Sequence, residues 1–219
     1  MFSKKTSLVF VFALAFLALL FSGSSQVVDC IVAEVNNQIV TLTDIRILRA
    51  FAINAGGTGG IPPEPLREIL EGAVSQKVVI SMVRENIVVT PEEVVHRLNE
   101  TLERLAPEAR QRTLAEFGLG EDELRPYLEE NILYQKIIGL RFSQSANISL
   151  KEIETYYNED YVPSEKALGR EPRPMIQVLD ELEALLKKEK VAGQVDSWIK
   201  SLRDQADIRI NDNCLEQAK

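Results

Sequence analysis

One histidine, two cysteines and one tryptophan are all this 219-residue chain holds of three residue types often recruited for metal binding, proton relay and cofactor stacking. His96 stands alone, without cysteine or carboxylate partners at ligand spacing, so no zinc site and no other metal site is expected. No strand–turn–helix nucleophile elbow is visible for it to serve as base. A surface histidine is the expectation. Positive charge is also short: 25 Lys and Arg against 33 Asp and Glu leave −8. An acidic chain repels phosphate backbones, which disfavours nucleic acid as a partner. The one glycine cluster, GGTGG at 56–60, follows a helical pattern rather than a strand and has no lysine before the next helix. It therefore lacks the makings of a phosphate loop. The acidic pairs Glu92-Glu93, Glu129-Glu130 and Glu159-Asp160 are neighbours in sequence, so they splay around a helix rather than converge. Solvated faces explain them. No cofactor and no enzymatic activity are expected.

Long apolar runs are missing after residue 21. The one before it, Leu8–Phe21, follows Lys4 and Lys5 and precedes the small residues around Ser24 and Ser25. That is the layout of a cleavable secretory signal over 1–25. It is shorter than the roughly 18–20 residues that span a bilayer. An uncleaved signal tethering the chain to the membrane is the alternative. Export removes Lys4 and Lys5, taking the charge from −8 to −10. The remainder is long enough for one domain with a core, or two small ones. Two cysteines in an exported chain point to an oxidising compartment and allow one intramolecular pairing, Cys30–Cys214. Such a bridge closes nearly the whole exported chain and is worth roughly 4–5 kcal/mol in the chain-entropy model. Two separate buried thiols are the alternative.

Residues 31–35 and 38–42 alternate apolar and polar around Asn36-Asn37, which predicts a hairpin. Thr43 is the expected N-cap of the next helix. Residues 54–65 hold four glycines and three prolines and read as a loop. A helix is expected from Glu64 to Asn86, its stripe including Leu70, Ala73, Val74, Lys77 and Val78. Thr90-Pro91-Glu92-Glu93 makes a capping box with proline at the first helical position. Further helices are expected at about 91–105, at 107–117 stopped by Gly118, at 120–142 with Pro126 near the start, and after the capping box Ser149–Glu152. Residues 162–174 read as a proline-rich, charged connector. Residues 175–205 make one long helix or two in line. Leu179, Leu182 and Leu186 form one stripe and Val191, Val195, Trp198 and Leu202 a second, offset one. Residues 206–212 alternate again. A lone hairpin is marginal in water, so this last strand is expected to pair with the 31–35 region. That pairing brings Cys30 and Cys214 together. The fold class is mainly α, with a small sheet made from an N-terminal hairpin and a C-terminal strand.

VAEVNNQIVTLTDI resembles the opening hairpin of the SurA-like periplasmic chaperones, and VSQKVVISMVRENIVVTPEEVVHRL resembles the helix pair that follows it. GLGEDELRPYLEENILYQKII is similar to the next helix of that module, and VDSWIKSLRDQADIRIND to the helix and strand that return to complete it. The resemblance implies a helical chaperone module over 26–161, completed by 175–212, with a tail at 213–219. It departs from the family at 162–174. One or two parvulin-type prolyl isomerase domains normally sit there, and thirteen residues cannot build one. No catalytic residue carries over.

The resemblance implies ATP-independent binding of unfolded or partly folded envelope proteins in the periplasm, outer-membrane β-barrels among them. A homodimer is kept open. A dedicated adaptor for one envelope partner and a residual prolyl isomerase are the rival readings. Binding without a catalytic constellation calls for apolar grooves and an exposed sheet edge. Apolar residues at helix ends and loop edges are the candidate client contacts: Phe51, Ile61, Met82, Phe117, Leu119 and Tyr127. Methionine suits a promiscuous surface because it repacks easily. Ordinary core residues are the alternative for each.

Overall fold

The computed structural model describes residues 29–53, 65–83, 86–142 and 147–216. The expected signal segment, the glycine-rich segment and Ile61 within it lie outside the described residues.

Strands β1 (Ile31–Val35) and β2 (Gln38–Thr41) pair antiparallel. Asn36 and Asn37 make the turn at φ +46° and +69°. Both central residues of such a turn need this left-handed region, which asparagine tolerates better than most residues. The last strand, β3 (Ile208–Ile210), pairs antiparallel with the other side of β1, giving the order β2–β1–β3. The sheet expected from the two ends of the chain is therefore present. Its central strand is buried at Val32, Ala33 and Val35.

The expected Cys30–Cys214 disulfide is also present, with Cα atoms 6.0 Å apart across 184 residues of sequence. Cys214 sits in a short helix, α9 (Asp212–Glu216). Part of the expected tail is thus the helical turn that presents the second sulfur.

The first helix, α1 (Leu42–Ala50), begins earlier than the Thr43 cap implies. Thr41 is the cap: its Oγ1 accepts from Asp44 N at 3.1 Å, and Asp44 Oδ2 accepts from Thr41 N at 2.8 Å. A reciprocal box satisfies two orphan groups, where Thr43 offered one. The next helix, α2 (Leu66–Met82), is shorter than expected, because Val83 is already extended and residues 86–90 are irregular. Thr90 and Glu93 form the expected capping box of α3 (Pro91–Glu103). Then α4 (Pro107–Phe117) ends at Gly118, whose φ of +65° closes the helix. A 3₁₀ turn, Glu121–Leu124, leads into α5 (Arg125–Phe142), so Pro126 falls at the second helical position, where its missing N–H breaks no bond.

The expected connector over 162–174 is helical in its first six residues. Ser149 caps α6 (Leu150–Tyr156), a wide π-type turn follows at Tyr157–Tyr161, and α7 (Val162–Ala167) continues. Pro163 would clash with the carbonyl four residues back in a regular helix. The π-type turn just before it loosens the winding where that clash would fall. Finally α8 (Met175–Arg203) runs as one 29-residue helix, about 43 Å long at 1.5 Å per residue.

Three apolar clusters hold these elements. The largest lies under the sheet and takes in Phe51, Leu70, Val74, Leu98, Leu124, Leu128 and Cys214. A second joins Val79, Tyr134, Ile137 and Ile199, with Trp198 at its margin. A third joins Ile153, Val178 and Leu182, with Leu179, Leu186 and three tyrosines around them. The offset stripes of α8 have a cause here. Its first half packs on α6 and the π-type turn, and its second half packs on α2 and α5.

Candidate functional site

The candidate client contacts fall in different places. Phe51 is only 2% exposed and belongs to the main core. Met82, Phe117 and Leu119 are partly buried and pack against that same core. Among the described candidates, Tyr127 alone borders the cavity described next.

That cavity, of about 280 Å³, lies between the sheet edge and three helices. Strand β2 contributes Ile39 and Val40, and α1 contributes Asp44 and Leu48. From α2 come Ala73, Gln76 and Lys77, and from α5 come Pro126, Tyr127 and Glu130. Each arrives by simple helical spacing. Ala73 and Gln76 are three apart, as are Tyr127 and Glu130, so each pair shares a helix face.

Two polar bridges cross the site. Lys77 Nζ donates to Glu130 Oε1 at 2.6 Å and Oε2 at 2.8 Å, tying α2 to α5. Tyr127 donates its hydroxyl proton to Asp44 Oδ1 at 2.8 Å, tying α5 to α1. Burial, and then the Asp44 carboxylate beside it, push the Tyr127 phenol well above its usual range. It stays a proton donor throughout neutral and mildly alkaline pH. Gln76 is 4% exposed, and its Oε1 is buried without a hydrogen-bond donor. A buried carbonyl left unpaired costs on the order of 1–3 kcal/mol.

The cavity walls are therefore apolar at Ile39, Val40, Leu48, Ala73 and Pro126. Among its lining residues, the carboxylates of Asp44 and Glu130 outnumber the single ammonium of Lys77. The sequence carried one signal of this. Lys77 stands on the apolar stripe of α2, where a largely covered charge needs a partner of opposite sign. Glu130 looked like half of a solvated pair, and only α5 packing on α2 reveals it as that partner. Glu129, its neighbour, is exposed.

A second, more open cavity of about 580 Å³ lies between α6 and α8, lined by Ile148, Tyr156 and Leu186 and by the Glu152–Lys190 ion pair at 2.9 Å. Leu150 at the start of α6, Leu168 just after α7 and Ile176 near the start of α8 are each more than half exposed. His96 lies on the outside of α3, 3.3 Å from Glu100. Among the described residues no cluster of His, Cys, Asp and Glu could hold a metal ion, and no helix is long and apolar enough to cross a membrane. The disulfide points to an oxidising compartment.

No protein-family model matches this chain, and no curated protein matches it.

Proposed function

We propose that the protein is an ATP-independent holdase of the SurA type, acting in the periplasm on unfolded envelope proteins, outer-membrane β-barrels among them. The observation that carries this reading is the sheet: a hairpin from the start of the described chain, closed by a strand from its end, with an apolar-walled cavity beside its outer strand. The sequence likeness led to the same closure. The exposed Leu150, Leu168 and Ile176, at the ends of α6, α7 and α8, add apolar surface away from the sheet. Several weak apolar contacts spread over separated surfaces hold a client without trapping it, so release needs no nucleotide. The acidic balance keeps a loaded complex soluble.

The test is light scattering of a urea-denatured outer-membrane β-barrel diluted into buffer, with and without the disulfide-closed chain from Gln26 to Lys219. Suppressed aggregation at near-stoichiometric amounts, without nucleotide, is the expected result. Unchanged scattering from a folded sample would overturn the holdase reading and favour an adaptor for one partner. A prolyl-peptide isomerisation assay on the same sample is expected to stay at background.

A further inference from the structure

The main-chain geometry of β2 bears on what the cavity beside it holds. Glu34 is paired with Ile39 on one side and Arg209 on the other. Asn36 N donates to Asp207 O and Asn211 N donates to Val32 O, each at 2.9 Å. Narrow hydrogen-bonded pairs alternate along an antiparallel ladder. Glu34, midway between Val32 and Asn36, therefore turns its main-chain groups toward β3. Its partner Ile39 is then in a non-hydrogen-bonded pair, with its own N–H and C=O facing away from β1. Among the described residues no strand lies on that side. Ile39 is 53% exposed and lines the cavity.

The cavity is smaller than the roughly 300–1,000 Å³ of pockets for drug-sized ligands, and it suits a single side chain. Its walls favour an aliphatic stem. Its polar groups are mostly acceptors: Glu130 holds Lys77 on both oxygens, Asp44 accepts from Tyr127 on Oδ1 and from Thr41 N and Oγ1 on Oδ2, and the buried Gln76 carbonyl holds no donor. Lys77 is neutralised on both oxygens of Glu130, so the Asp44 charge is left in excess. A half-turn of the Gln76 amide about its last bond exchanges the end facing the cavity. A planar, donor-rich and weakly hydrated cation on an apolar stem meets all of these conditions, which describes arginine better than lysine.

We propose that an extended peptide adds to the outer edge of β2 through the main chain of Ile39 and places an arginine side chain in the cavity bounded by Asp44, Gln76, Tyr127 and Glu130. Strand addition supplies sequence-independent affinity, and the cavity supplies a preference at one position. The identity of the peptide as part of a client rests on the holdase reading; the arginine preference does not.

The test is fluorescence anisotropy with three labelled extended peptides, alike except for arginine, citrulline or norleucine at the central position. Citrulline keeps the shape and loses the charge, and norleucine keeps only the stem. Arginine is expected to bind at least about tenfold more tightly than either. Glu130→Gln, which takes the net charge of the lining to zero, is expected to remove most of the preference over citrulline, and Gln76→Met to weaken the preference over norleucine, with thermal melts reporting whether each variant folds. Equal binding of the three peptides by the unmodified protein overturns the proposal without recourse to any variant. Arginine preference in a protein that fails to suppress aggregation leaves this site standing and removes the holdase. Suppression without preference does the reverse.

Discussion

Asn36 does three jobs at one position. Its backbone makes half of the turn, its Nδ2 donates to Ser81 Oγ at 3.0 Å, and its Oδ1 accepts from Asp207 N at 3.0 Å. It thus joins the hairpin to α2 and to the start of β3. Asn36→Gly keeps the turn geometry and removes both side-chain bonds. At about 0.5–1.5 kcal/mol each, the expected loss is about 1–3 kcal/mol in urea unfolding, with the slope unchanged. No loss would show that the links to Ser81 and Asp207 are replaced by water at no cost. The turn itself was readable, because positive φ is a local demand that the Asn-Asn pair answers. The links were not, because Ser81 and Asp207 are 45 and 171 residues away. Phe51 shows the opposite limit. At a helix end it read either as a client contact or as core, and at 2% exposure it lies in the core.

The arm made of α6, α7 and the first half of α8 rests on a small cluster, with three buried residues: Ile153, Val178 and Leu182. Polar ties do much of the joining. Glu152 caps α6 through Ser149 and also receives Lys190 of α8 at 2.9 Å. The Ser149 backbone bond first, and then Lys190, lower its carboxyl to about 2. Glu93, held by Lys136 and the Thr90 backbone, and Glu181, held by Arg173, are also lowered. A depressed folded-state pKa contributes stability that is complete above the ordinary glutamate value of about 4.3 and is lost as pH falls toward the folded value. Acidification from about pH 5 to pH 2.5 is therefore expected to loosen the arm before the sheet. Amide protection, measured against the intrinsic exchange rate at each pH, should fall first across residues 150–190. Glu152→Gln should make that fall less dependent on pH, and a uniform fall over the whole chain would contradict this picture. The capping boxes at Ser149 and Thr90 were legible because they are short-range patterns. The helix through Pro163 was not, because a proline after a π-type turn reads in sequence like any other breaker.

At the scale of the whole molecule, the two ends decide the architecture. Closure of β1 by β3 followed from a simple need, since a lone hairpin has too little support and one other strand was on offer. The cavity was beyond reach of the same reasoning. It takes Asp44, Gln76, Tyr127 and Glu130 from three helices, and their meeting depends on packing angles that no local pattern states. Only the charge of Lys77 on an apolar stripe hinted at it. Replacing both cysteines, Cys30→Ser with Cys214→Ser, is expected to cost roughly 2–5 kcal/mol and to lower the urea midpoint. A change below about 1 kcal/mol would mean that the sheet alone keeps the ends together in the unfolded reference as well as the folded state.

The same bridge changes what a protease can accomplish. From residue 30 to residue 214 the backbone and the disulfide form a single covalent loop. One cut anywhere within it opens the loop into a line but releases no piece. The two fragments stay attached, each still packed on the other, and part only when the disulfide is reduced or a second cut is made. Wherever a protease reaches it, damage to this protein is counted in pairs of cuts rather than single ones.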